Sequence, residues 1–243
     1  GKTTVAVSLA LSLAAREPAP LYLDCDVEEP NAALYLYPEL VEQETVALLV
    51  PVVDTETCTL CGRCAEVCQY HAIAVIGDQV LVFPELCHGC GSCTRQCPAH
   101  AISEVPDPIG VLERGHAGPI AFAQGTLNLG KAMGVPVIRQ LKRWAITREA
   151  SGRAVILDAP PGTSCPVVET LRGADAVLLV TEPTPFGLHD LRLAVQVARD
   201  ELGLPVGVLV NRDGGEGVDI GVDAYCAAEA LPMPADAPGL RSK

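Results

Sequence analysis

Gly1-Lys2-Thr3-Thr4 opens the chain, and Val5-Ala6-Val7-Ser8-Leu9-Ala10-Leu11-Ser12-Leu13-Ala14-Ala15 follows it directly. The second stretch is rich in alanine and leucine and predicts a helix ending near Arg16, with Pro18 and Pro20 as breakers. Gly-Lys-Thr at a helix start is the second half of a P-loop. There the Lys2 ammonium would reach the β- and γ-phosphates and the Thr3 hydroxyl would bind Mg²⁺, while Thr4 and the first helical amides face the phosphate charge. An ordinary lysine at a helix start gives the same four residues, so the motif needs support from elsewhere.

Two apolar runs supply it. Leu21-Tyr22-Leu23-Asp24-Cys25-Asp26 reads as a short strand ending in two aspartates, with Pro30-Asn31 after it. Ala154-Val155-Ile156-Leu157-Asp158 reads as a second strand ending in aspartate, followed by Ala159-Pro160-Pro161-Gly162-Thr163. A carboxylate at the C-terminal end of a parallel strand, beside a P-loop, is where Mg²⁺ or its waters are held. Gly162 would let a backbone amide approach the γ-phosphate. Ile120 to Ala123 reads as a further strand, with Leu127 to Trp144 mostly helical after it. Ala176 to Val180 and Val206 to Val210 are continuous apolar runs, as expected of strands buried on both faces, and Leu188 to Leu202 between them has helical periodicity. Strand and helix in alternation predict a doubly wound, mostly parallel α/β sheet.

Eight of the eleven cysteines form one pattern written twice: Cys58, Cys61, Cys64 and Cys68, then Cys87, Cys90, Cys93 and Cys97, each run spaced C-x2-C-x2-C-x3-C. His71-Ala72-Ile73 and His100-Ala101-Ile102 trail the runs at the same offset. Zinc would use paired dyads and leave the third cysteine of each run unused. Disulfides need an oxidising compartment, whereas the rest of the chain reads as cytoplasmic. The spacing instead resembles that of a bacterial two-cluster ferredoxin, in which the last cysteine of each run serves the other cluster. That resemblance implies two [4Fe-4S] clusters, one held by Cys58, Cys61, Cys64 and Cys97 and the other by Cys87, Cys90, Cys93 and Cys68. Between the runs, Ala72 to Gly77 and Gln79 to Phe83 predict a small hairpin meeting near Gly77-Asp78.

The 243 residues suffice for one α/β domain and a small insert. Hydrophobic content is 49% with only 4% aromatic, so the core is aliphatic and platforms for stacking bases are nearly absent. A formal charge of −13 repels a phosphate backbone, so no nucleic-acid partner is expected. No apolar run approaches the length of a spanning helix, so no stable membrane insertion is expected either.

Taken in order, Gly1-Lys2-Thr3-Thr4, Leu23 to Asn31, the two cysteine runs, Asp158 to Thr163 and Val180 to Pro185 resemble the MinD/ParA group of P-loop ATPases, in the branch carrying an inserted ferredoxin domain. The resemblance implies an ATP site on Gly1, Lys2, Thr3 and Thr4. It makes Asp26, with Asp24 as second choice, the switch I carboxylate that positions the attacking water. It makes Asp158 the Walker B aspartate, Gly162 the switch II glycine and Asn211 a reader of the adenine base, although a turn residue after a strand fits Asn211 equally well. It also implies a homodimer and residues upstream of Gly1 that supply a central strand, the first half of the P-loop and a signature lysine. Hydrolysis is therefore expected of the full-length protein more than of this stretch. The expected organisation is an ATPase core over residues 1–53, a ferredoxin insert over 54–104, a Pro/Gly-rich linker over 105–119 and the rest of the core over 120–243, with a shortened C-terminal end.

The leading expectation is an ATPase whose nucleotide state is coupled to electron transfer, with a second protein as redox partner. One alternative is a MinD/ParA-like positioning or regulatory switch with redox-sensing clusters. Another is an iron–sulfur carrier of the Mrp type, against which Cys226 stands alone without a partner at C-x2-C spacing.

Overall fold

A computed structural model describes residues 1–147, 152–211 and 221–233. Its centre is a five-stranded mixed sheet formed by β1 (Leu21–Asp24), β2 (Glu39–Val53), β5 (Ile102–Ala117), β6 (Ile120–Leu127) and β7 (Val155–Asp158), in the order β2-β5-β6-β1-β7. The strand β1 is parallel to both β6 and β7. All four of its residues are buried, and they alternate between the two faces, as a period of two requires. Leu21 and Leu23 meet α5 (Gly134–Ala145) through Val137, Ile138 and Leu141. Tyr22 points the other way and packs with Val7 and Ala10 of α1 (Lys2–Leu13) and with Phe122 and Ile156. Helices on both faces of a largely parallel sheet give the doubly wound architecture that the alternation of apolar runs predicts.

A second, two-stranded parallel sheet, β8 (Val177–Thr181) and β9 (Val206–Val210), is covered by α7 (Pro185–Val195) and α8 (Val222–Ala228). Among the described residues β7 and β8 share no ladder. Gly1 lies by the end of this second sheet: a β-carbon there would fall 2.9 Å from Asn211 Nδ2 and 3.9 Å from Val180 Cγ1.

Two features depart from expectation. Residues 105–119 are not a linker: Ile102 to Ala117 is one long strand, antiparallel to β2 from Glu39↔His116 through Val53↔Ile102. Its prolines are tolerated for a geometric reason. Pairing with β6 runs only from Gly110 to Ala117, so Pro106 and Pro108 lie beyond it, on an otherwise open edge. The Pro108 carbonyl faces that edge, where Asn128 Nδ2 donates to it at 3.3 Å. Glycine is required where strands approach closely, since a β-carbon on Gly110 would lie 2.6 Å from the Thr126 carbonyl oxygen. The second departure is that β6 runs through Leu127, and residues 128–133 form a loop before α5. Leu127 pairs with Gly110 and the Asn128 amide donates to the Ile109 carbonyl, which holds this stretch to β5 instead of letting it coil.

The cysteine-rich segment sits at the far end of the β2/β5 ribbon, closed at its base by the Val53↔Ile102 pair. Within it the hairpin of β3 (Ile73–Ile76) and β4 (Gln79–Val82) pairs as the sequence predicts. The two short helices α3 (Arg63–Glu66) and α4 (Ser92–Arg95) each start after a left-handed glycine, Gly62 at φ 77° and Gly91 at φ 70°.

Candidate functional site

The register of the sheet assembles the first site. Asp24 and Asp158 are Cα partners at the C-terminal ends of neighbouring parallel strands, and Gln124 is the partner of Asp24 on its other side. Asp24 is 1% exposed, and its two oxygens are occupied by the loop that follows. Oδ1 accepts from the Asp26 amide at 3.1 Å, and Oδ2 accepts from the Asn31 and Ala32 amides at 2.9 Å each. Asp24 therefore folds residues 25–32 into a closed loop. Burial pushes its carboxyl up to about 6, against the lowering effect of those amides.

Asp26, by contrast, is only part-buried and faces the helix start. Burial raises its carboxyl and Lys2 opposes that rise. The Lys2 ammonium is in turn lowered by burial and supported by Asp26 and Asp158. Asp158 is 3% exposed. Burial raises its carboxyl, while hydrogen bonds from Thr3 and Tyr22 and the charge of Lys2 favour its ionised form. The Tyr22 hydroxyl donates to Asp158 Oδ2 at 2.9 Å from a ring that is wholly buried. One lysine thus faces two aspartates at the start of a helix whose Thr3 hydroxyl reaches the deeper of them.

The remaining residues of the set are less engaged. Thr4 is exposed at the start of α1. Gly162 takes φ 87° with open space around it. Asn211 donates its backbone amide to the Thr181 carbonyl at 2.8 Å and sets its side chain against Gly1.

The second site has an internal pseudo-repeat. Cys68 Sγ accepts from the Ala72 amide at 3.2 Å and Cys97 Sγ from the Ala101 amide at 3.3 Å. His71 and His100, the residues that turn the chain there, share φ 52°. Cys68, from the first run, lines one solvent-open cleft of about 390 Å³ with Cys87, Cys90 and Cys93 from the second. In the first run, burial raises the Cys64 thiol and nearby Cys58 and Cys61 raise it further. Cys97 packs in the small apolar cluster that contains Cys64. His88, an exposed loop residue, stacks on Tyr70 with ring centroids 3.6 Å apart, at the wall of the cleft.

Comparison with known proteins gives the family and the fold. The uncharacterized protein MJ0578 of Methanocaldococcus jannaschii is 34% identical over 197 residues, covering 79% of this chain and 67% of that protein. The chain belongs to the MJ0578 family. A second protein of that organism, the uncharacterized MJ0579, is 32% identical over 118 residues, covering 44% of this chain and less than half, 43%, of its own length. The profile of the 4Fe-4S dicluster domain matches residues 50–98 of this MJ0578-family chain. Among solved structures, the septum site-determining protein MinD from Pyrococcus horikoshii OT3, complexed with Mg-ADP, superposes with a TM-score of 0.53 at 16% identity, over 96% of this chain and 74% of that one. The cell division ATPase MinD of Pyrococcus furiosus gives 0.51 at 16% identity, over 96% and 76%. The MJ0578-family chain therefore has the MinD-type P-loop fold and carries a 4Fe-4S domain in it. No helix among its described residues is long and apolar enough to cross a membrane.

Two residues of the first site escape motif reading. Tyr22 looks like any core aromatic, and only the sheet shows that its hydroxyl reaches the next strand. Gln124 lies inside β6, level with Asp24 and Asp158, and only the register shows that it stands beside them. Its Nε2 donates to Glu113 Oε2 at 2.8 Å, while its Oε1 is buried without a partner.

Proposed function

We propose that this chain is the nucleotide- and cluster-bearing part of an ATPase in which ATP turnover and electron transfer through two [4Fe-4S] clusters are coupled. The observation that carries the reading is one continuous β2/β5 ribbon linking two differently equipped parts of the chain. It leaves the sheet whose parallel strands bring Asp26 and Asp158 to Lys2, and its far end carries both cysteine runs.

At the first site, Lys2 and the amides of α1 supply positive charge for phosphate oxygens. Asp158 and the Thr3 hydroxyl are hard oxygen donors, which suit Mg²⁺, and one buried and one part-buried aspartate facing a single lysine leave negative charge for a cation to balance. Asp26 is the residue placed to orient an attacking water, since Asp24 has both oxygens committed to backbone amides. Asp24 is then a positioning residue that fixes where Asp26 stands. Gly162 and Asn211 are proposed at the γ-phosphate and base ends, and the MinD structure with bound Mg-ADP supports a nucleotide in this fold.

At the second site the donor set is thiols alone, with backbone N–H groups already bonded to two of the sulfurs, which fits iron–sulfur ligation. Four cysteines drawn from both runs around one cleft support the exchange of the last cysteine between clusters. When bound, the clusters supply one-electron chemistry, and the chain's residues hold and shield them. The other proposed features are a homodimer and a protein redox partner.

The test is ATP turnover by the full-length, cluster-loaded protein in oxidised and reduced states. Turnover that depends on both Lys2 and cluster oxidation state supports the reading. Equal turnover in both states contradicts coupling.

A further inference from the structure

The Asp26 loop and the cysteine-rich segment are also joined by a second route. Val27 follows Asp26 directly and is 2% exposed. Its carbonyl accepts from the Leu127 amide at 2.7 Å, at the last residue of β6. Its two methyl groups are wedged against two glycines. A β-carbon on Gly125 would lie 3.1 Å from Cγ1, and one on Gly134 would lie 2.9 Å from Cγ2. Packing this close does not absorb a displacement; it passes it on. If the loop of Asp26 moves, the end of β6 and the start of α5 must move with it.

What lies between those two points is the loop 128–133, and it is tied to the cysteine end. Asn128 holds the carbonyls of Ile109 and Pro108 on β5 through its amide and side chain, at 2.8 and 3.3 Å. Lys131 Nζ donates to Asp107 Oδ2 at 2.6 Å, and both side chains are about three-quarters buried, at 27% and 25% exposure. A cleft of about 280 Å³ there is lined by Leu48, Pro84, Glu85, Asp107, Lys131 and Met133, so the loop stands directly beside the turn that enters the second cysteine run. That turn passes straight into the thiolate loop: the Cys87 amide donates to the Pro84 carbonyl at 3.1 Å. Gly89 presses on β2, where its β-carbon would meet the Leu49 carbonyl oxygen at 3.3 Å.

We propose that the loop 128–133 transmits the state of the Asp26–Val27 segment to the Cys87–Cys93 loop, with Val27, Lys131 and Asp107 as its positioning residues. This rests on the reading of the chain as an ATPase coupled to its clusters, and it adds where the coupling runs and which cysteine loop receives it. Coupling is reciprocal: if nucleotide alters the clusters, cluster reduction alters nucleotide affinity by the same factor. Lys131 touches neither site, so removing its charge should uncouple the two sites and leave each of them working.

The experiment measures the dissociation constant of Mg·ATP for the full-length, cluster-loaded protein, oxidised and then dithionite-reduced. The wild type is expected to show a ratio between the two states of about fivefold or more. Lys131→Met should bring the ratio below about twofold, with iron content and oxidised-state affinity unchanged. Asp107→Asn, which keeps the side-chain shape, should do the same and decides the matter if Lys131→Met sheds iron. A merely structural role would weaken binding in both states and preserve the ratio. A full ratio in both variants overturns this route and leaves the coupled-ATPase reading standing. A ratio of one in the wild type overturns both.

Discussion

Tyr22→Phe probes the first site through a single atom. The phenol is wholly buried and donates to Asp158 Oδ2 at 2.9 Å, while its ring stacks on Phe122 with centroids 5.9 Å apart. Phenylalanine keeps the ring and its stacking and deletes only the donor. A hydrogen bond to a charged group contributes about 1.5–3 kcal/mol, so the ionised form of Asp158 loses about that much relative to its protonated form. At 1.36 kcal/mol per pKa unit, the carboxyl rises by roughly 1–2 units above a position that burial has already raised. The sign follows: the bond favours the charged form, so its loss moves ionisation to higher pH. If Asp158 must be ionised to hold Mg²⁺, the acid limb of Mg²⁺-dependent ATP binding moves up by roughly 1–2 units, while binding well above that limb stays near wild type. Isothermal titration across a pH series, with iron content as the control for folding, reads this directly. An acid limb that stays in place, or moves down, refutes the placement of Asp158 at the cation.

Other perturbations separate the remaining roles. Asp26→Asn should lower ATP turnover by about 10²–10⁴-fold with nucleotide affinity little changed, as expected for a group that acts on the water; near-normal turnover by stopped assay would return the role to Asp24. Cys68→Ser combined with Cys90→Ser should remove no more iron than Cys90→Ser alone, whereas Cys68→Ser with Cys61→Ser should empty both clusters. The opposite pattern by iron analysis and electron paramagnetic resonance would place Cys68 with its own run. Gly115→Ala puts a β-carbon onto the Glu39 carbonyl oxygen, forcing β2 and β5 apart; a loss of about 3 kcal/mol in a denaturant titration is expected, and an unchanged midpoint would deny that the ribbon is closely paired there.

The sequence makes some elements plain because one physical cause dominates them. The cysteine runs carry their meaning in spacing alone, and Leu21–Leu23 is an apolar run because helices cover both faces of its strand. The ribbon is hidden for the opposite reason. Glu39 to Thr45 is acidic and mostly exposed, and its partner strand contains Pro106, Pro108, Gly110 and Gly115, all of which ordinarily mark loops. Only the pairing shows that the prolines face an open edge and that Gly110 and Gly115 fall where backbones crowd. Within the site, Lys2 and Asp158 follow from motif order, and the resemblance puts Asp26 ahead of Asp24. What no motif shows is that the loop amides occupy both oxygens of Asp24, a tertiary fact. Tyr22 is hidden similarly, since a strand aromatic pointing into the core gives no sign of where its hydroxyl ends. The route through Val27 and Lys131 has no local signature, because it consists of contacts between segments far apart in the chain.

The central claim is that nucleotide and clusters sense each other. The direct measurement is the reduction potential of the clusters in the full-length protein, by redox titration with and without saturating Mg·ATP. The account predicts that at least one cluster shifts by about 40 mV or more, the one-electron equivalent of a fivefold coupling. Potentials that coincide with and without nucleotide, in protein shown to bind it, would contradict the account.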